Sequence, residues 1–115
     1  MIAVLRFHPP ADPAAFLEQG ALALAALAAR PGFIRGSLGR AADDESAWTM
    51  VSEWESVGAY RRGLGGYEVK MLTPFFAQVI DGPSAFESLV TATPGGVSAI
   101  RASDRAADAD SVSRE

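Results

Sequence analysis

The sequence predicts an α+β domain of β-α-β-β-α-β order whose four strands form one antiparallel sheet. Three observations carry that prediction. Ala47–Trp54 (AWTMVSEW) alternates apolar and polar residues, the period of a half-buried strand. Asp12-Pro13 and Ser56 are helix-start signals, each placed just after a strand-like stretch. The chain has 115 residues, 49% of them hydrophobic, which is enough for one core and too few for two.

Ile2–His8 (IAVLRFH) is the first strand, because β-branched and aromatic residues fill it and Pro9-Pro10 ends it. Alternation puts Ile2, Val4, Arg6 and His8 on one face and Ala3, Leu5 and Phe7 on the other. Asp12 and Pro13 then open a helix expected to reach about Ala29, with Phe16, Leu17, Leu24 and Leu27 facing the core. Arg30-Pro31-Gly32 stops it. Phe33–Arg40 (FIRGSLGR) is the second strand, where Gly36 and Gly39 mark a bulge or a close approach of backbone. Asp43-Asp44-Glu45 lies in the following loop, 41–46, and reads as a solvated turn.

In the central strand Trp48, Met50, Ser52 and Trp54 share one face, suited either to a small-molecule pocket wall or to plain core. Ser56 caps a second helix beginning at Val57. Gly65-Gly66 interrupts it, and the pattern resumes over 67–79, with Pro74 as a kink or a fresh first turn. Gly63-Leu64-Gly65-Gly66 is no phosphate loop, since it follows a helix and lacks the spacing. Asp81-Gly82-Pro83 turns the chain into a last strand over 85–90. From Thr91 onward aromatic residues vanish. The expected organisation is a domain over 1–91 and a polar, mobile tail over 92–115.

This order is the ferredoxin-like arrangement, with both helices on one face of the sheet. The strands are apolar on both faces. A second copy covering the bare face, giving a homodimer, is the simplest way to bury the other one.

Composition excludes several functions. A net charge of -4 with scattered arginines and one lysine, Lys70, argues against nucleic acid as a partner. With 0 Cys there is neither a disulfide nor thiolate chemistry, and 1 His leaves no multi-histidine metal site. No metal is expected. Met1–Phe7 lacks the basic start of a signal peptide, and the alanine-rich run over 20–29 is too short to span a bilayer. No membrane contact and a cytoplasmic location are therefore expected.

RPGFIRGSLGR, a short acidic loop and then WTMVSEWESVGAY resemble the antibiotic biosynthesis monooxygenase family, a group of dimeric α+β barrels. The resemblance covers about 1–91. It implies oxidation of anthrones or hydroquinones to quinones with O2 as co-substrate and no cofactor, or haem degradation, or another reaction altogether. Trp54 falls on the family's strand-end tryptophan and Tyr60 on a tyrosine that lines its pocket. The family's asparagine four residues before that tryptophan is Met50 here. Haem-degrading relatives carry an axial histidine on the second helix, which 60–79 lacks, so haem would have to use Tyr67 or His8.

The chemistry so implied needs donors aimed at a developing oxyanion and a base. Arg6, Arg61, Arg62, Tyr60 and Tyr67 are the candidate donors, and His8 is the candidate base. Arg61 and Arg62 diverge by about 100° on a helix, so at most one faces a pocket. Trp54, Met50, Ser52 and Trp48 would bind a small aromatic substrate. Each also has a plain structural reading as core, cap or solvated surface. The alternative function is a non-catalytic module binding a small aromatic ligand.

Overall fold

The computed structural model describes residues 1–103. Its elements are β1 (Ile2–Phe7), α1 (Pro13–Ala28), β2 (Phe33–Arg40), β3 (Trp48–Trp54), α2 (Val57–Leu64), α3 (Tyr67–Lys70), α4 (Thr73–Phe76), β4 (Ala85–Phe86), β5 (Val90–Thr93) and β6 (Gly96–Ile100). The main sheet has the order β2-β3-β1-β4, all antiparallel, as the ferredoxin-like expectation requires. Among the described residues no helix is long and apolar enough to cross a membrane.

Local chemistry sets the first helix. The Asp12 carboxylate accepts from the Ala15 N–H at 3.2 Å, and Pro13 supplies a preset first turn. Phe16, Gly20, Ala23 and Leu27 form its buried face, at helical four-three-four spacing. Leu17 is 46% exposed, contrary to expectation, because it lies one residue off that stripe and so about 100° around the helix. At Gly20 a Cβ would collide with Leu38, so glycine lets α1 settle onto β2.

The sheet keeps the predicted alternation. Ala3, Leu5 and Phe7 of β1 and Trp48, Met50, Ser52 and Trp54 of β3 are buried on the helix side. Phe7, Phe16 and Phe75 stack at centroid separations of 5.0 to 5.2 Å, and Trp48 meets Phe16 at 5.4 Å. On the opposite face Arg6 is exposed, Val51 is 37% exposed and Phe86 46%.

Three expectations need correction. The helical stretch over 67–79 is two single turns, α3 and α4, with Pro74 opening the second. The expected strand over 85–90 shrinks to β4: β1 begins at Ile2, opposite Phe86, so later residues find no further β1 rung. Past it, β5 and β6 pair as a hairpin turned by Gly95 (φ +107°) and Gly96 (φ +151°), within the stretch read from sequence as a polar, mobile tail with no strand of its own. The rest of that expected tail, 104–115, lies outside the described residues.

Candidate functional site

Trp54 closes β3, and two residues later Ser56 starts α2 by accepting from the Ala59 N–H at 3.0 Å. The cap aims the first turn of α2 back over the strand end. Tyr60 therefore meets Trp54 edge to face, with centroids 5.5 Å apart and planes at 63°. Phe33 packs on Trp54 at 5.2 Å. The indole N–H donates to Ser52 Oγ at 2.9 Å, which satisfies the one buried polar side chain of that strand face. Ser52 is thus an anchor for the indole.

Trp54 is 1% exposed and Tyr60 5%, so the contact between them is closed. Burial pushes the Tyr60 phenol above its ordinary value of 10.0, against a smaller downward pull from a hydrogen bond with Ser84. The hydroxyl is consequently a proton donor across the neutral range, set in apolar surroundings. Met50, also 1% exposed, packs as core on the same strand face and brings no polar group to it.

The other candidates do not join this contact. Trp48 donates its indole N–H to Glu45 O at 3.1 Å and carries the Arg40 guanidinium 5.5 Å from its ring centroid. Arg6 lies across from Thr49 on the opposite sheet face, and both Arg6 and Trp48 line a separate groove. His8 is exposed beyond the end of β1, its backbone N–H held by Gln78 O at 3.1 Å. Arg61 and Arg62 are both exposed in the last turn of α2, where cations offset the negative end of the helix dipole. Tyr67 is 72% exposed. Among the described residues no cluster of three metal-binding side chains occurs.

One residue escaped the sequence reading. Arg30, taken only as part of a helix stop, lays its stem against α2: a Cβ at Gly63 would lie 3.5 Å from Arg30 Cβ and 2.8 Å from Trp54 Cη2. Its Nε is a buried donor without an acceptor among the described residues. Nothing in the local pattern of Arg30-Pro31-Gly32 announces this position, which depends on Arg30, past the end of α1, meeting Gly63 and Gly66 far along the chain.

The family model described as antibiotic biosynthesis monooxygenase matches residues 1–66, which include β1 through α2 and so both Trp54 and Tyr60. The chain belongs to this family. Among solved structures it is similar to SnoaB, a cofactor-independent oxygenase from Streptomyces nogalater, at 27% identity and a TM-score of 0.61, covering 68% of this chain and 80% of SnoaB. A variant of SnoaB gives 29% identity and a TM-score of 0.62, covering 69% of this chain and 82% of that one. A conserved protein from Methanosarcina mazei shares the fold at 14% identity and a TM-score of 0.60, with 73% and 84% of the two chains covered. No curated protein matches the chain.

Proposed function

We propose that this monooxygenase family member oxidises a polycyclic phenol, anthrone or hydroquinone to a quinone, in the cytoplasm, with O2 and no resident cofactor. The observation that carries the reading is the Trp54–Tyr60 contact, a phenol donor kept protonated beside a large aromatic wall in a dry setting. The likeness to SnoaB supports it. For an anthrone, the ring methylene and one O2 become a ring carbonyl and one water. Loss of a carbon-bound proton leaves an anion whose charge sits largely on the ring oxygen. Tyr60 Oη–H donates to that oxygen while the carbanion passes an electron to O2. The radical pair combines as a carbon-bound peroxide anion, which takes back from solvent the proton released to solvent in the first step and expels water, with loss of the second carbon-bound hydrogen, to leave the new carbonyl.

Substrate reaches this position when α2 parts from Trp54, and Arg30 Nε, packed against Gly66, is then free to donate to a second substrate oxygen. An oxygen electrode tests the proposal, with dithranol-type anthrones and anthrahydroquinones as substrates. Uptake above buffer is expected, and Tyr60→Phe lowers kcat by about 100-fold, the usual effect of deleting one oxyanion donor. Binding of the anthrone without O2 uptake makes the chain a ligand-binding module and overturns the enzyme.

The same reading makes the working unit a homodimer. Val51 and Phe86 on the bare sheet face, and Val90, Val97 and Ile100 at 62%, 62% and 79% exposure on the adjoining hairpin, supply the apolar surface. Sedimentation equilibrium should give twice 12.0 kDa. A 12.0 kDa species at micromolar concentration would overturn the dimer.

A further inference from the structure

Among the described residues, β5 and β6 pair with each other and with no strand of the main sheet. A hairpin of two strands is marginal in water unless one of its faces is covered. Val90 stands opposite Ile100 and Ala92 opposite Val97, so these four share one face. That face is apolar and open, with Val90 and Val97 62% exposed and Ile100 79%. On the other face Thr91 and Ala99 are half-buried, and Thr91 lines a hollow with Ile2, Val51 and Glu53. The hairpin therefore rises at the Ile2 end of its own sheet and turns its apolar face outward.

The other end of the same sheet face carries a groove of about 560 Å³. Val4, Gly39, Thr49 and Ile80 line it, and Arg6 and Arg40 supply its charges. Gly36, on the same strand as Gly39, is forced by packing, because a Cβ there would meet Leu24 Cδ1 at 2.8 Å. At Gly39 an added Cβ meets nothing within 4 Å, and no positive φ demands glycine. A strand-interior glycine weakens a sheet, and one free of both crowding and strain leaves room for something from outside. This is the face that the homodimer covers, so what fills the room comes from the second copy.

We propose, resting on the homodimer reading above, that the β5–β6 hairpin of each protomer lies in the groove of the other. Val90, Ala92, Val97 and Ile100 then pack against Val4, Gly39 and Ile80. Hairpin and groove occupy opposite ends of one sheet face, so a two-fold axis running across the strands sets each hairpin over the other protomer's groove. One such axis fills both grooves and covers both hairpins, and the assembly closes at two copies. Charge agrees with the fit. No charged residue occurs over 90–100, so neither guanidinium meets a like charge, and the backbone carbonyls of the hairpin tip can accept from Arg6 and Arg40.

The chain has 0 Cys, so introduced cysteines report the contact cleanly. Full-length Gly39→Cys and Val97→Cys chains are unfolded together in urea, refolded as a mixture and treated with a short bismaleimide. Cross-linking to a band at twice 12.0 kDa is expected. Its yield should exceed by about tenfold that of Val97→Cys mixed with Met71→Cys, because only the first pair is held together in the dimer. Met71 is the control because it is 61% exposed at the end of α3, on the helix side. Val97→Asp should weaken dimerisation by about 100-fold in sedimentation equilibrium, since the dimer would bury its charge. A dimer whose 39 and 97 positions cross-link no better than the control, or whose affinity ignores Val97→Asp, would overturn the hairpin's seat and leave the dimer standing. A monomer would overturn both.

Discussion

Trp54→Ala should lower the unfolding free energy by about 3 to 5 kcal/mol and abolish O2 uptake. The side chain is 1% exposed, so the whole indole is lost from packing. Phe33 and Tyr60 stand against it at 5.2 and 5.5 Å, and Gly63 faces it from α2, so no neighbour is free to fill the hole. A domain of this size has about 5 to 15 kcal/mol in total, which makes the loss a large share. Stability alone would then explain lost activity, so a second substitution separates the two causes. Trp54→Phe keeps most of the apolar volume but removes the donor to Ser52 Oγ. It should cost about 1 to 3 kcal/mol through the buried hydroxyl left without its donor. Adding Ser52→Ala to Trp54→Phe should recover part of that loss, visible as a coupling in a urea double-mutant cycle. Strictly additive effects would mean that the indole–hydroxyl bond contributes nothing.

What local chemistry dictates is legible in the amino-acid order itself. Asp12-Pro13 and Ser56 define helix starts by bonds within three residues, and they sit where expected. The alternation through β3 predicts the right partition of faces, because strand period depends on the backbone alone. It does not say whether the Trp48-to-Trp54 face is pocket or core. That depends on how closely α2 lies over it, which is a property of Gly63 meeting an indole. Leu17 fails for the same reason: a helix of alanines has several equally apolar stripes, and packing against β2 selects one. The shortness of β4 follows from where β1 begins, a relation between residues far apart in the chain. The groove at Arg6 and Arg40 joins residues of β1, β2, β3 and Ile80, so no single stretch displays it. Trp54 and Tyr60 are the opposite case, because a cap and one helical turn are enough to bring them together.

Gly63→Ala should destabilise by about 1 to 3 kcal/mol, against the helix propensity that favours alanine over glycine by about 1 kcal/mol. The added methyl would lie 2.8 and 2.9 Å from Trp54 Cη2 and Cζ3, closer than carbon contacts allow, so the ring or the helix must move. The ring is held: Phe33 packs at 89° on one side, Tyr60 edges it on another, and Ser52 tethers its N–H. Gly58, in the first turn of the same helix, is the control. A Cβ there lies 3.1 Å from Nη1 at the flexible end of Arg62 and at an ordinary 3.8 Å from Ser56 Oγ, so Gly58→Ala should stabilise by about 0.4 to 1 kcal/mol. Thermal unfolding midpoints of the two variants should therefore move in opposite directions. Should both rise, the indole yields to α2 at little cost. The contact at Trp54 would then be soft enough for an aromatic substrate to part it, and access would need no larger movement of α3 and α4. Should Gly63→Ala fall as expected, the contact is stiff, and opening must come from α2 shifting as a body about the Gly65-Gly66 break.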